Sequence, residues 1–195
     1  ERYLLEATVR GDESSRLAPG QRLKIFPAVS AGWNIHNEKW FSKDIFLSTL
    51  KLRGSWGRLG SSIGVGNYSY LNLLSYNSGL VLGGSEANTT YFYQGTVPSS
   101  SLTWENLETA NGGIDLGFFK NKLAATFDYY VKNNYGMFTS LTLPATFGVT
   151  TPKINNGHLR SWGWELDTKY QDVIGKDWNY SVGFNLSDNL NKLIS

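Results

Sequence analysis

The sequence predicts an all-β protein, an antiparallel transmembrane β-barrel of which it carries about seven strands. Three observations predict it. Long stretches alternate apolar and polar residues with period 2, several over ten residues or more, against the five or six usual in soluble sheets and the roughly 9–11 a tilted membrane strand needs. The composition suits a wall that is apolar outside and polar inside: charged residues are only 17%, aromatics 14%, with seven Trp, eleven Tyr and 21 Gly. The connections between stretches alternate short and long, as in outer-membrane barrels.

In the first stretch Tyr3, Leu5, Ala7 and Val9 face away from Glu6, Thr8, Arg10 and Asp12. The second sets Leu23, Ile25, Val29, Ala31 and Trp33 against Lys24, Ala28, Ser30, Gly32 and Asn34. Phe26-Pro27 interrupts it, because Pro cannot donate to a ladder; a bulge or strand start is expected there. The third opposes Leu50, Leu52 and Trp56 to Lys51, Arg53 and Ser55. The fourth opposes Ala110, Ile114, Leu116 and Phe118 to Asn111, Asp115 and Gly117.

The last three are the most regular. Leu123, Ala125, Phe127, Tyr129 and Val131 alternate with Ala124, Thr126, Asp128, Tyr130 and Lys132. Trp162, Trp164, Leu166 and Tyr170 oppose Ser161, Glu165, Asp167 and Lys169. Trp178, Tyr180, Val182, Phe184 and Leu186 oppose Asn179, Ser181, Gly183, Asn185 and Ser187. Phe127, Tyr129, Trp164, Leu166, Val182 and Phe184 are therefore expected to face lipid, and Asp128, Glu165, Asp167, Lys169 and Asn185 the lumen. Aromatics gather near the strand ends of the apolar face, Tyr3, Trp33, Phe118, Tyr170 and Trp178 near one rim and Trp56 and Trp162 towards the other, as interfacial girdles do. A soluble β-sandwich shows the same alternation, with its apolar face turned to a core, so that alternative stays open on pattern alone.

Phe119 to Lys122 reads as a tight turn, Gln171 to Asp177 as a compact one, and Asn34 to Ser48 as an intermediate link. These belong on the periplasmic side. Gly11 to Gln21, Met137 to Gly157 and the very long extracellular loop 58–107, from Arg58 to Leu107, belong on the other. An odd strand count does not close an ordinary single-chain bacterial barrel, and Glu1 to Leu5 reads as the inside of a strand, with neither initiator Met nor signal peptide. The chain is expected to be part of one larger barrel domain.

The composition excludes other classes. Net charge is +2 with scattered basic residues, so nucleic acid is not an expected partner. Mean hydropathy is −0.30, and no run approaches the ~18 apolar residues of a membrane helix. There is no Cys, which removes disulfides and thiolate chemistry. Gly60-Ser61-Ser62-Ile63-Gly64 has the spacing of a hydrolase nucleophile elbow. No helix signal follows it, and His36 and His158 fall on opposite sides of the membrane, so it reads as a Gly/Ser-rich loop. Two isolated His and no Asp-rich calcium loop give no metal site, and Asp12 to Arg16 reads as a solvated turn. Glu165 and Asp167 could be paired glycosidase carboxylates, but beside Lys169 on a water-facing wall they read as lumen lining. No catalytic residue, cofactor or enzyme activity is expected. In the long loop Tyr68, Tyr70, Tyr76, Tyr91 and Tyr93 stand among Gly, Asn and Ser; they suit packing within the loop, stacking on a ligand, or contact with a partner protein.

Beyond the pattern, the residues resemble a family, the SusC/RagA TonB-linked outer-membrane proteins. Tyr3 to Arg16, YLLEATVRGDESSR, is similar to its YLLEATVRRDGSSRF block, and Phe26 to Trp33, FPAVSAGW, to its FPSVSAGW. Leu50 to Gly57, LKLRGSWG, resembles LKLRASYG. Leu102 to Glu105, Phe127 to Lys132, Asn155 to Gly157 and Tyr180 to Ser187 follow in the family's order. Departures are small: Gly11 stands where a second Arg is common, Glu13 replaces a Gly, and Arg160 to Glu165 lacks the Asn of an N-x-G-x-E pattern. The resemblance implies a 22-stranded barrel plugged by an N-terminal domain, in the outer membrane of a Gram-negative bacterium. It implies import of an oligosaccharide or peptide driven through TonB, under a SusD-like surface lipoprotein acting as a lid. The plug, the TonB box and the closing strand are expected outside this segment. Two other functions compete: a soluble carbohydrate-binding β-sandwich, and a passive porin without plug or TonB.

Overall fold

A computed structural model describes residues 1–42, 46–81, 88–175 and 178–194. Parts of three expected connections, 43–45, 82–87 and 176–177, lie outside the described residues, as does Ser195. Seven strands form one sheet: β1 (Tyr3–Glu13), β2 (Leu23–Asn34), β3 (Leu47–Ser61), β6 (Glu105–Phe118), β7 (Leu123–Ser140), β8 (Lys153–Ile174) and β9 (Trp178–Leu193). β4 (Leu74–Val81) and β5 (Asn88–Gln94) pair separately within the connection between β3 and β6. The sheet order is β1-β2-β3-β6-β7-β8-β9, every ladder antiparallel, so strands adjacent in the sheet are consecutive apart from the inserted hairpin. Among the described residues the helical segments are 3-10 turns at Ile35–Asn37 and Ala145–Phe147.

All seven expected strands are present and extend past the alternating runs, to 14 residues in β6, 18 in β7 and 22 in β8. The long connections shrink accordingly. The β3–β6 ladder runs out to Ser61 opposite Glu105, so the loop expected over 58–107 is a 62–104 connection built around a hairpin. Met137 to Ser140 and Lys153 to Gly157 are likewise strand, and so are Gln171 to Ile174 of the expected compact turn.

Register carries the pattern across the sheet. Ala7, Val29, Trp56, Ala110, Val131, Trp162 and Leu190 form one transverse row. Tyr3, Trp33, Leu52, Ile114, Phe127, Leu166 and Leu186 form another. Because side chains alternate along each strand, these rows share one face, and a slip of one residue in any ladder would break them. Among the described residues this face has no second layer over it: Phe127, Tyr129, Val182 and Phe184 are 40%, 47%, 64% and 59% exposed. A sandwich would bury those four side chains between sheets.

Pro27 requires a correction. The β1–β2 register is continuous, with Pro27 opposite Val9, so neither a bulge nor a strand start marks it. The β2–β3 ladder instead stops at Ala28 opposite Gly57. From Pro27 to Leu23 β2 has no partner on that side, where a missing N–H costs least.

Where those two strands part, a small core forms from Leu17, Phe26, Val65, Leu102 and Trp104, with Phe138 against it. It joins the β1–β2, β3–β4 and β5–β6 connections to the strand ends. The Phe26 ring meets Trp104 edge-on at 5.8 Å, and Trp104 Nε1 donates to the Arg22 carbonyl at 3.0 Å. A Cβ at Gly60 would sit 2.0 Å from Phe26 Cζ, and one at Gly64 2.6 Å from Phe138 Cδ2. The Gly-x-x-x-Gly spacing over 60–64 thus admits two aromatic rings, and no helix follows it.

The turn between β6 and β7 is tight, as expected. Phe119, Lys120 and Asn121 all have φ between +53° and +65°, a region unfavourable for side chains other than Gly, Asn and Asp. It is held from outside. Phe119 packs edge-on to Phe46 at 4.4 Å, the Lys120 N–H donates to Ser48 Oγ at 2.7 Å, and Thr49 Oγ1 donates to Asn121 Oδ1 at 2.8 Å.

Candidate functional site

The polar face brings its charges into three successive rows. Arg53, Gly113, Asp128, Glu165 and Ser187 form the first; Lys51, Asp115, Thr126, Asp167 and Asn185 the second; Gly117, Ala124, Lys169 and Gly183 the third. All five residues read from the sequence as lumen lining, Asp128, Glu165, Asp167, Lys169 and Asn185, therefore share this face.

Arg53 organises the patch. Its Nη2 reaches Asp128 Oδ2 at 2.6 Å across the intervening strand, and its Nε lies 3.2 Å from Asp115 Oδ1. Thr126 Oγ1 donates to that same Asp115 oxygen at 3.3 Å. Gly113 makes the crossing possible, because a Cβ there would lie 2.6 Å from Asp128 Oδ1 and 2.8 Å from Arg53 Cζ. Asp128 Oδ1 itself is buried and has no hydrogen-bond partner among the described residues. The arrangement is a half-exposed, ion-paired wall whose remaining acids, Glu165 and Asp167, are exposed and make no ion pair among the described residues. Sequence reasoning put Arg53 and Asp115 on polar faces but did not pair them; Gly113, which lies two residues before Asp115 and opposite both Arg53 and Asp128, was the signal available.

A second assembly occupies the end of the sheet that carries the three long connections. β4 and β5 pair with Tyr76 opposite Phe92, Asn77 opposite Tyr91 and Ser75 opposite Tyr93. Tyr76 and Phe92 are 6.4 Å apart on one face, and Tyr91 and Tyr93 are 5.9 Å apart on the other. Tyr76 is 74% exposed. Tyr68 lies in the turn before the hairpin at φ 58° and is exposed, whereas Tyr70 is half-buried and its hydroxyl accepts from Arg22 Nη2 at 3.3 Å. The five tyrosines thus do not converge on one point. Tyr68 lines a cleft of about 470 Å³ at the hairpin base with Ser75, Thr96, Ser99, Thr150 and Lys153, and Tyr93 borders the neighbouring groove.

The hairpin is tied down on both sides. Val97 N–H donates to Thr150 O at 3.3 Å and Thr150 N–H to Gly95 O at 3.0 Å, and Lys153 Nζ donates to Gly64 O at 2.7 Å. Asn155 is the principal clamp: its amide donates to Thr103 O at 3.0 Å and Gly136 O at 2.7 Å while its Oδ1 accepts from the Thr103 N–H at 2.9 Å. Glu105 Oε1 accepts from the Phe138 N–H at 2.8 Å. The Leu102 to Glu105 and Asn155 to Gly157 blocks are thereby anchoring elements, a role that their sequence pattern did not disclose.

His36 and His158 stand at opposite ends of the sheet, His36 Nδ1 near the Leu50 carbonyl at 3.1 Å and His158 stacked on Tyr135 at 4.4 Å. No cluster of metal-ligating side chains occurs among the described residues.

Comparison with known proteins agrees with this geometry. The family model described as TonB dependent receptor-like, beta-barrel matches residues 1–192. The TonB-dependent receptor SusC of Bacteroides thetaiotaomicron is 30% identical over 98% of this chain, which covers 19% of that protein. The TonB-dependent receptor P39 of Formosa agariphila is 28% identical over 99% of this chain, covering 18% of that protein. Among solved structures, the RagAB peptide importer in its open-open state superposes with a TM-score of 0.85 at 27% identity, over 100% of this chain and 20% of that one. The closed-closed state gives 0.83 at 28% identity, over 99% of this chain and 20% of that one. The chain spans about a fifth of the length of the relatives it matches. TonB-dependent receptors are outer-membrane β-barrel proteins of Gram-negative bacteria, and this chain, an antiparallel all-β wall segment, belongs to their β-barrel family.

Proposed function

We propose that this chain is the wall and outer-loop segment of an importer in a Gram-negative outer membrane. The whole protein would draw energy through TonB, work beneath a SusD-like lipoprotein lid, and take up an oligosaccharide or a peptide. Phe127, Tyr129, Trp164, Leu166, Val182 and Phe184 meet lipid; Asp128, Glu165, Asp167, Lys169 and Asn185 line the lumen; and the hairpin with Tyr68, Tyr70, Tyr76, Tyr91 and Tyr93 meets ligand or lid outside the cell.

The observation that carries this reading is the bare apolar face. Eight steps separate Leu123 from Val131 on β7; at roughly 3.4 Å each and a tilt of about 40° they rise about 21 Å, close to the roughly 25 Å apolar band of outer-membrane barrels. Tyr170 stands in the row of Leu123, and Trp56 and Trp162 in the row of Val131, as aromatic borders. An exposed apolar sheet of this extent is not tolerated in water. Similarity to SusC and to the RagAB peptide importer supports import and a lipoprotein partner, and leaves oligosaccharide and peptide both open.

The test uses adjacent residues on opposite faces of the full-length protein. A fluorophore on Phe184→Cys should be quenched by lipid-borne spin labels, and one on Asn185→Cys should not. Reversal of that pair would sink the orientation. Uptake of a panel of glycans and peptides in cells lacking TonB separates active import from a passive porin: transport that persists without TonB favours the porin.

A further inference from the structure

Just beyond the upper aromatic row of the apolar face, the register assembles one more row, Arg58, Glu108, Asn133, Arg160 and Lys192, from five neighbouring strands. It lies two residues past the Trp56–Trp162 row, about 7 Å along each strand. Its side chains share that face: the Arg58 guanidinium is 5.2 Å from the Trp56 ring, and that of Arg160 is 5.9 Å from the Trp162 ring.

The cations in this row are unevenly neutralised. Arg58 Nε lies 2.8 Å from Glu108 Oε2. Arg160 and Lys192 are direct antiparallel partners, both exposed, and neither has an ion pair among the described residues. Like charges directly opposite destabilise a ladder pair, so the position calls for an anion from elsewhere. Among the described residues the groups around it do not supply one. His158, in the next row, stacks on Tyr135, and its Nε2 meets the Asn133 amide oxygen at 3.4 Å. Asp188, on the same face of β9, pairs with Trp164, four residues and about 13 Å along the strand from Lys192. At the opposite rim the protein handles a cation differently, ion-pairing Lys122 with Asp172 at 2.7 Å.

We propose that this row binds the phosphates of a phosphorylated glycolipid in the outer leaflet. The proposal rests on the orientation given above, which puts the 62–104 connection outside the cell. Guanidinium groups hold phosphate oxygens in a fork and an ammonium holds them as a point charge, while Trp rings occupy the level of headgroups. The width of the row favours a glycolipid over a phospholipid. Arg58 and Arg160 stand three strand spacings apart, roughly 14 Å, too far for one phosphate to bridge. Glu108, ion-paired with Arg58, and Asn133 lie between them, the carboxylate able to accept hydrogen bonds from sugar hydroxyls and the amide to exchange them. A headgroup with phosphates at both ends of a sugar unit matches that spacing and order.

The experiment takes the full-length protein in detergent and adds bis-phosphorylated lipid A, its dephosphorylated form, or phosphatidylglycerol, reading retained lipid by native mass spectrometry. Wild type should retain the bis-phosphorylated form at least fivefold over the other two. The Arg160→Gln/Lys192→Gln pair should lose at least fivefold of that retention, and Lys132→Gln, on the other face, none. Should the double variant fail to fold by heat-modifiable gel mobility, each single Gln variant is read against Arg160→Lys, which should keep most retention. Equal retention by the Gln variants, or equal binding of dephosphorylated lipid, overturns the proposal. Ser78→Cys in the hairpin is labelled alongside with an impermeant maleimide on intact cells lacking the lid lipoprotein. Labelling from outside with unchanged lipid retention refutes the lipid site alone, whereas protection from labelling overturns the orientation and the lipid site together.

Discussion

Replacing Gly60 by Ala should destabilise the end of the sheet that carries the long connections, and replacing Gly112 should not. The added Cβ at Gly60 would stand 2.0, 2.7 and 2.8 Å from Cζ, Cε1 and Cε2 of Phe26, separations that force the ring to move. Phe26 is only 3% exposed and packs edge-on to Trp104, so it has little room. Overpacking of this kind costs about 1–3 kcal/mol, and loss of the aromatic geometry roughly 0.5–1.5 more. Reduced freedom of the unfolded chain returns about 0.4–1 kcal/mol, leaving a net loss of about 1–4 kcal/mol. At Gly112 a Cβ meets nothing within 4 Å, so only the gain of about 0.4–1 kcal/mol remains. Denaturant unfolding of the full-length receptor in lipid vesicles, followed by Trp fluorescence, measures both. Phe26→Leu should relieve the clash, so that Gly60→Ala costs about 1 kcal/mol less on that background than alone. Equal stability of the two alanine variants would refute the packing argument, and additive effects of Gly60→Ala and Phe26→Leu would locate the cost elsewhere.

Arg53→Met should cost about 1–3 kcal/mol, since it strands the part-buried Asp128 and Asp115; adding Asp128→Asn should recover part of that loss in the same unfolding assay. Asn155→Ala removes three hydrogen bonds between the β5–β6 connection, β7 and β8, so limited proteolysis should cut the 62–104 connection faster while the barrel stays folded. Glu38, in the β2–β3 connection, has its carboxyl held below its ordinary 4.5, first by the Tyr3 hydroxyl at 2.8 Å and then by Trp33 Nε1 at 3.1 Å, with Arg2 adding to it. A depressed carboxyl stabilises fully above that ordinary value and loses its contribution as pH falls through the lower folded value. Acid titration of the thermal midpoint should therefore show a loss below pH 4.5 that Glu38→Gln reduces. Replacing residues 76–92 by a short Gly-Ser linker keeps Val65, Leu102 and Trp104; the barrel should assemble while lid association or uptake falls, and normal import would make the hairpin dispensable.

What the sequence disclosed follows from the range of each signal. Alternation from Leu123 to Val131 is local, and every neighbouring strand shares its phase, so strands and faces could be read residue by residue. Strand ends could not, because β7 continues through Asn133 and Asn134 to Ser140, where alternation fades but pairing with β8 continues. The hairpin was hidden for a related reason. Thr89 to Tyr93 is a run of strong strand formers, but its partner, Leu74 to Gly79, is broken by Ser, Asn and a glycine at φ 121°. Composition suggested aromatic recognition there and could not show that Tyr76 and Tyr91 point to opposite faces, since that depends on register.

Three glycines show where one-dimensional reading ends and why the fold supplies what it lacks. Gly60 and Gly64 match a catalytic spacing in sequence; in space each lies under an aromatic ring supplied by another strand, Phe26 from β2 and Phe138 from β7. Gly113 carries no motif, yet it lets Arg53 on β3 reach Asp128 on β7. In both cases the missing side chain is a response to a group far away in the chain, and only register identifies that group. The same holds for function. The lipid and lumen faces proposed above rest on alternation, which is local. The ion-paired wall, the anchored hairpin and the Arg58–Lys192 row each arise from several strands brought into phase, five in the last. A one-residue shift of a ladder would therefore leave the composition of each strand unchanged and still separate Arg53 from Asp128 and Arg160 from Lys192.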